Sequence, residues 1–212
     1  MCRSFKALAL CAFALFVSGC AVGNKQEYAT ATPQVTLTTK RHIAVAVQDH
    51  RPYVVDHDKG EDFVGLQRGG FGNPFDVRTV SGHPMAADFR DVIVAALKRR
   101  DIVADSLMTS PSTAFPDITK AAFSSGADRF LFLRLDEWKA DTATNTALIY
   151  DVHLMVLDQS GNQMAEVAHK GKDDLGGDFI DPPDRAKVVV PQAYQRMLES
   201  LLNDPKVTQA LQ

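Results

Sequence analysis

The stretch that most restricts the fold is His42–Gln48, which reads HIAVAVQ. Successive side chains of a strand point to opposite faces. Here Ile43, Val45 and Val47 alternate with small apolar Ala44 and Ala46. Both faces are apolar, which predicts a central strand covered on both sides. Further on, Met85, Phe89, Val92, Ile93, Ala96 and Leu97 fall on one stripe at helical spacing. The helix they predict spans Met85 to Arg100. Pro84 suits its first turn, and Lys98, Arg99 and Arg100 suit the negative end of its dipole. Ile102 to Leu107 reads as a second, shorter strand. A strand, a helix and a strand in this order predict a right-handed βαβ crossover.

The second half of the chain has a different rhythm. Asp117 can cap a short helix that Gly126 ends. Three strands follow: DRFLFLRLD over Asp128–Asp136, ALIYDVHLMVL over Ala147–Leu157, and Gln163 to Gly171. Asp158–Asn162 has the composition of a hairpin turn, so an antiparallel meander is expected. Asp184 to Leu202 carries an apolar stripe that includes Val190, Tyr194, Met197 and Leu201, and is read as a helix. Pro191 either kinks it or begins its main part. The predicted fold is α+β, a two-layer α/β arrangement in the order βαβ-α-βββ-α. It has a mixed sheet of about five strands and two main helices packed on one face. Residues 42–212 form one domain, with a loop or hairpin insertion at 49–84. Within that insertion, Tyr53–Val55 and Phe63–Leu66 are β-prone and flank a turn-rich segment.

The N-terminus is read separately, as a targeting segment. Arg3 and Lys6 precede an unbroken apolar run from Ala7 to Val17. Spanning a bilayer takes roughly 20 apolar residues, so this run fits the core of a secretory signal instead. Val17-Ser18-Gly19-Cys20 closes it. These residues resemble the lipobox of bacterial lipoproteins. The resemblance implies cleavage after residue 19 and acylation of Cys20, and Ala21 after it implies export to the outer membrane. The three cysteines are Cys2, Cys11 and Cys20. A body without free thiols has no disulfide, no thiolate metal site and no cysteine nucleophile. Residues 20–41 are expected to form the lipidated cysteine and a flexible tether, with an r.m.s. span of roughly 25 Å. Val35 and Leu37 allow a short edge strand within it. The net charge of −3 gives no footprint for nucleic acid.

Ser125-Gly126-Ala127-Asp128 ahead of Phe130-Leu131-Phe132-Leu133, and Leu157-Asp158 ahead of Ser160-Gly161-Asn162, carry a second resemblance. From about His42 to Leu211 the chain resembles the YajG-type outer-membrane lipoproteins. Its domain looks like the periplasmic α/β fold of the TolB N-terminal domain and of CsgG-type lipoproteins. The resemblance implies a periplasmic domain on a lipid anchor and brings no catalytic residues with it. The insertion departs from the compact form of that fold.

No catalytic, cofactor or metal set is expected. Asp56 to Asp62 fails the calcium-loop spacing, because glycine falls at position 5 and Gln67 at position 12. The six histidines include no pair at i, i+4. Asp151 and His153 share one strand face, which is a possible site or simply a polar sheet face. The most unusual stretch is Arg68-Gly69-Gly70-Phe71-Gly72-Asn73-Pro74-Phe75. Either its glycines permit tight turns while Phe71 and Phe75 pack on the domain, or it presents those rings to a partner. The expected function is a non-enzymatic, lipid-anchored binding or accessory protein for another envelope component, most simply a protein, with the 68–75 loop as the contact. The alternative is a periplasmic carrier of a small lipid or a peptidoglycan-derived ligand.

Overall fold

The structure, a computed structural model, describes residues 24–212. The signal segment and Cys20 lie outside the described residues.

The sheet has eight strands rather than five. They are β1 (Lys25–Gln26), β2 (Ile43–Asp49), β3 (Phe63–Arg68), β4 (Pro74–Thr79), β5 (Ala104–Leu107), β6 (Arg129–Thr142), β7 (Asn145–Asp158) and β8 (Gln163–Gly177). Among the described residues five helices accompany them: α1 (Pro52–Val55), α2 (Met85–Lys98), α3 (Phe115–Ser124), α4 (Pro182–Leu202) and α5 (Pro205–Leu211). The two β-prone pieces of the insertion part company. Tyr53–Val55 forms the helical turn α1, for which Pro52 supplies the first position. Phe63–Leu66 is strand, and its hairpin partner is Pro74–Thr79.

β2 is buried along its whole length and pairs in parallel with β5 on one edge and β6 on the other. Its two apolar faces meet different layers. Ile43, Val45 and Val47 join the main core with α2, α4 and α5. Ala44 and Ala46 pack with Phe130, Phe132 and the α3 residues Ile118 and Ala122 on the other face. Helices therefore cover both sides of the sheet at β2.

The fourteen residues of β6 serve two neighbours in turn. Arg129–Leu135 pair with β2, and Ala140–Thr142 pair with β3, both in parallel. An irregularity between Leu135 and Glu137 marks the change. β7 follows β6 along its other edge throughout. At the β3 junction the backbones come so close that a Cβ on Gly65 would strike the Ala140 carbonyl. Only glycine fits there.

Residues 24–41 are not the expected free tether. β1 adds to β4, and Tyr28, Val35 and Leu37 are buried. Gln26 Nε2 donates to the Ala186 carbonyl of α4 at 2.6 Å. The Gln34 and Thr36 amides donate to Glu199 and Asn203 at 2.9 and 2.8 Å. This strap closes an aromatic cluster. Tyr28 meets Tyr194 edge-on at 5.0 Å, Phe89 meets Tyr194 at 4.7 Å, and Phe89 meets Trp138 at 5.2 Å. Edge-to-face geometry adds about 0.5–1.5 kcal/mol per pair beyond area burial.

Asp49 and Arg51 form a fully buried ion pair at 2.6 Å. The guanidinium also donates to the Phe63 carbonyl at 2.6 Å and the Trp138 carbonyl at 3.2 Å. Burial works against the charge of Arg51, and Asp49 more than restores it. The pair ties the end of β2 to the start of β3 and to the second half of β6.

Candidate functional site

The Arg68–Phe75 stretch is the turn of the β3–β4 hairpin. Gly72 N–H donates to the Gly69 carbonyl at 2.8 Å, and Gly69 N–H donates to the Asn73 carbonyl at 2.9 Å. Gly72 has φ of +80°, which gives a three-residue turn with a glycine bulge. Arg68 fixes the base. It binds Asp141 of β6 through two parallel hydrogen bonds, at 2.8 and 2.6 Å. The paired carboxylate raises the Arg68 guanidinium above its ordinary value.

The two aromatic rings of this turn behave differently. Phe75 is half-buried and lies over Gly69, where a Cβ would press on its ring. Phe71 is 99% exposed. Phe75 therefore packs on the domain, whereas Phe71 points into solvent.

A second segment shares this end of the molecule. Asp178 N–H donates to the Thr144 carbonyl of the β6–β7 turn at 3.2 Å. The Asp178 carboxylate accepts from the amides of Ile180 and Asp181 at 2.7 and 3.2 Å, and these bonds hold it below the usual carboxylate range. Asp181 then caps α4 by accepting from the Asp184 amide. Between these anchors Phe179 and Ile180 are 92% and 96% exposed. A cleft runs between the hairpin turn and this segment, lined by Arg68, Gly70, Thr144, Pro182 and Pro183 among others. Sequence reasoning missed Phe179 and Ile180. The signal available was an apolar pair set between aspartates ahead of a double proline.

Asp151 and His153 do come together, 3.0 Å apart, on the face shared by β6, β7 and β8. Asp136, at the β6 irregularity, stands 3.5 Å from the same imidazole nitrogen. One ligand atom from each of the three lies within 4.8 Å of the others. Cations already serve both carboxylates. Arg134 binds Asp136 at 2.8 Å and Lys170 binds Asp151 at 2.6 Å. Burial works to raise the Asp151 carboxyl, but Lys170 and His153 together hold it below the usual range. With Glu166 at 3.4 Å from the other ring nitrogen, three carboxylates and two cations surround the imidazole on this sheet face. In the acidic stretch after α1, Asp62 is paired with Arg78 at 3.2 Å, and Lys59 reaches across to Asp76 of β4 at 2.6 Å.

The carboxyl ends of β2 and β5 are where open α/β sheets place ligands. Here Gln48 Nε2 donates to the Ser110 and Thr113 carbonyls at 2.9 and 2.7 Å and draws the β5–α3 loop over the strand ends. The remaining cleft, lined by Asp49, His83, Arg90, Asp91 and Ser110 among others, holds about 220 Å³. Sites for drug-sized molecules hold about 300–1,000 Å³.

No family model and no curated protein sequence matches the chain at a significant level. Solved structures do match. The fold is similar to that of protein XCC0632 from Xanthomonas campestris, of the family DUF330. The TM-score is 0.58 at 11% identity, over 89% of this chain and 97% of that one. The lipoprotein GNA1162 from Neisseria meningitidis matches at a TM-score of 0.32 and 12% identity, over 74% of this chain and 98% of that one, too distant a likeness to carry argument. The first likeness establishes a shared mixed α+β fold and nothing about activity.

Proposed function

We propose that this chain is a lipid-anchored, non-enzymatic accessory protein of the cell envelope, held at the outer membrane by Cys20 with its domain in the periplasm. It contacts another envelope component through the end of the domain that carries the Arg68–Phe75 hairpin. The observation that carries this reading is the hairpin itself. A phenylalanine in nearly full solvent exposure stands on a base fixed by a bidentate ion pair. Loops carried on a rigid scaffold are where binding residues concentrate. The Val17–Cys20 sequence supports the anchor, and the resemblance to YajG-type lipoproteins agrees with it. Among the described residues no helix is long and apolar enough to cross a membrane.

Two variants test it in cells. Cys20→Ser is expected to move the protein from the membrane fraction to the soluble fraction, and retention in the membrane fraction counts against the anchor. Replacing Arg68–Phe75 by a Gly/Ser linker of equal length is expected to abolish envelope crosslinks while leaving the folded core intact. Unchanged crosslinks rule out the hairpin as the contact.

A further inference from the structure

We propose that Phe71, Phe179 and Ile180 form a lipid-contacting tip that seats in the headgroup region of the bilayer beside the acylated Cys20. The proposal rests on the anchor reading above and names the component that this end of the domain meets.

The tip is the most exposed apolar surface among the described residues. Its three side chains are 99%, 92% and 96% exposed. They come from two segments far apart in sequence that border one cleft. Neither segment is a loose end. The hairpin turn is closed by two backbone hydrogen bonds, and the 178–181 segment by the Asp178 carboxylate and the Thr144 carbonyl.

The path of the chain points to the same end. β1 runs parallel to β4, with Lys25 opposite Arg78 and Gln26 opposite Thr79. Traced backwards, the strand at Asn24 therefore heads toward Pro74 and the hairpin turn. Asn24 also lines a pocket with Gln67, Thr142 and Pro183, three residues at or next to the tip. Four peptide units separate Cys20 from Asn24. Fully extended they reach at most about 14 Å. A strap that began flexible at residue 41 would let the domain stand off or tumble. A strap pinned into the sheet at Lys25 does not, so a surface near Asn24 must lie against the membrane. The apolar tip is that surface.

The chemistry of the tip fits lipid better than an ionic partner. Arg68 is held by Asp141 and Lys187 by Asp184, and Asp178 and Asp181 flank the apolar pair. Arg68 and Lys187 are thus already paired and do not serve anionic headgroups, so contact is made by apolar side chains. Such side chains settle about 5–10 Å into the boundary between headgroups and acyl chains.

The full mature chain, purified with its acyl groups, is placed in phosphatidylethanolamine/phosphatidylglycerol vesicles with and without bromine on the lipid acyl chains. The single tryptophan, Trp138, is fully buried and gives a constant background. Phe71→Trp and Phe179→Trp report on the tip. Met164→Trp reports on the half-exposed start of β8, at the opposite end of the sheet. Mass spectrometry of the same preparations reads the acyl mass on Cys20. The two tip variants are expected to lose roughly half of their added emission in brominated vesicles, as a shallow interfacial position requires, and Met164→Trp to lose none. Acylated, vesicle-bound protein whose tip variants lose no emission overturns the proposal and leaves the anchor standing. A photocrosslinker at position 71 that captures protein rather than lipid in intact cells overturns it in favour of a protein partner. Absence of acyl mass on Cys20 overturns the anchor and this proposal with it.

Discussion

Buried charge at single residues sets two measurable properties of this domain. Asp49 and Arg51 are both almost wholly out of water, and every polar group of the pair is used. Removing one partner leaves the other buried and uncompensated, which costs about 3–5 kcal/mol. Arg51→Met is therefore expected to lower the unfolding free energy by about that amount, read from urea denaturation. A loss well under 1 kcal/mol would mean that water reaches Asp49. Asp88 is the opposite case, a buried carboxyl without a cationic partner in contact. Burial pushes it up from 3.8 to about 6, with the Ser81 hydroxyl at 2.9 Å offsetting part of the rise. The native state thus holds this proton more tightly than the unfolded chain does. Its contribution to stability is complete below about pH 3.8 and is lost as pH rises through 6. Asp88→Asn keeps an acceptor for Ser81 and removes the charge. It is expected to be more stable than the parent at pH 7, on the order of 1 kcal/mol, and no more stable near pH 4. Matched denaturation curves at the two pH values check the sign.

At the scale of elements, the long strand β6 organises the sheet, and its contact with β3 depends on one missing side chain. Gly65→Ala would set a methyl against the Ala140 backbone, which has no rotamer to yield. Overpacking of this kind costs about 1–3 kcal/mol, and the strand pairing at Gly65–Gln67 absorbs it. A thermal melt should show a clear drop in Tm, and faster amide exchange confined to β3 and β4 would locate it. β2, α2 and the β6–β8 meander were legible because their apolar periods are strong and local. β4 was not: PFDVRT places Asp76 and Arg78 in the strand, and both are satisfied by ion pairs that no local pattern reveals. Tyr53–Val55 has β-prone residues but follows a proline that starts a helical turn. Of the candidate site, Phe71 was legible as an aromatic among glycines. Phe179 and Ile180 were not, because their exposure is set by the caps at Asp178 and Asp181 and by pairing with a turn more than thirty residues away.

For the whole molecule, the decisive feature is the strap of residues 24–41, which packs a polar N-terminal segment onto the domain. Its sequence is polar and rich in threonine, so a tether was the natural expectation. A single ring reverses it. Tyr28 is 1% exposed, meets Tyr194 and Trp138 edge-on, and accepts from the Trp138 indole at 3.3 Å. The ordering entropy of the strap, about 1–2 kcal/mol per residue for the backbone, is offset by this ring, by Val35 and Leu37, and by the hydrogen bonds to α4. Truncating a buried aromatic costs about 3–5 kcal/mol. Tyr28→Ala should therefore do two things at once: lower global stability by about that much and release the strap from α4. Limited proteolysis distinguishes the strap from a tether. In the parent, bonds between residues 26 and 38 should be cut no faster than the domain itself unfolds. In Tyr28→Ala they should be cut first, leaving a core that begins near Arg41. Rapid cleavage within 26–38 in the parent would restore the flexible tether.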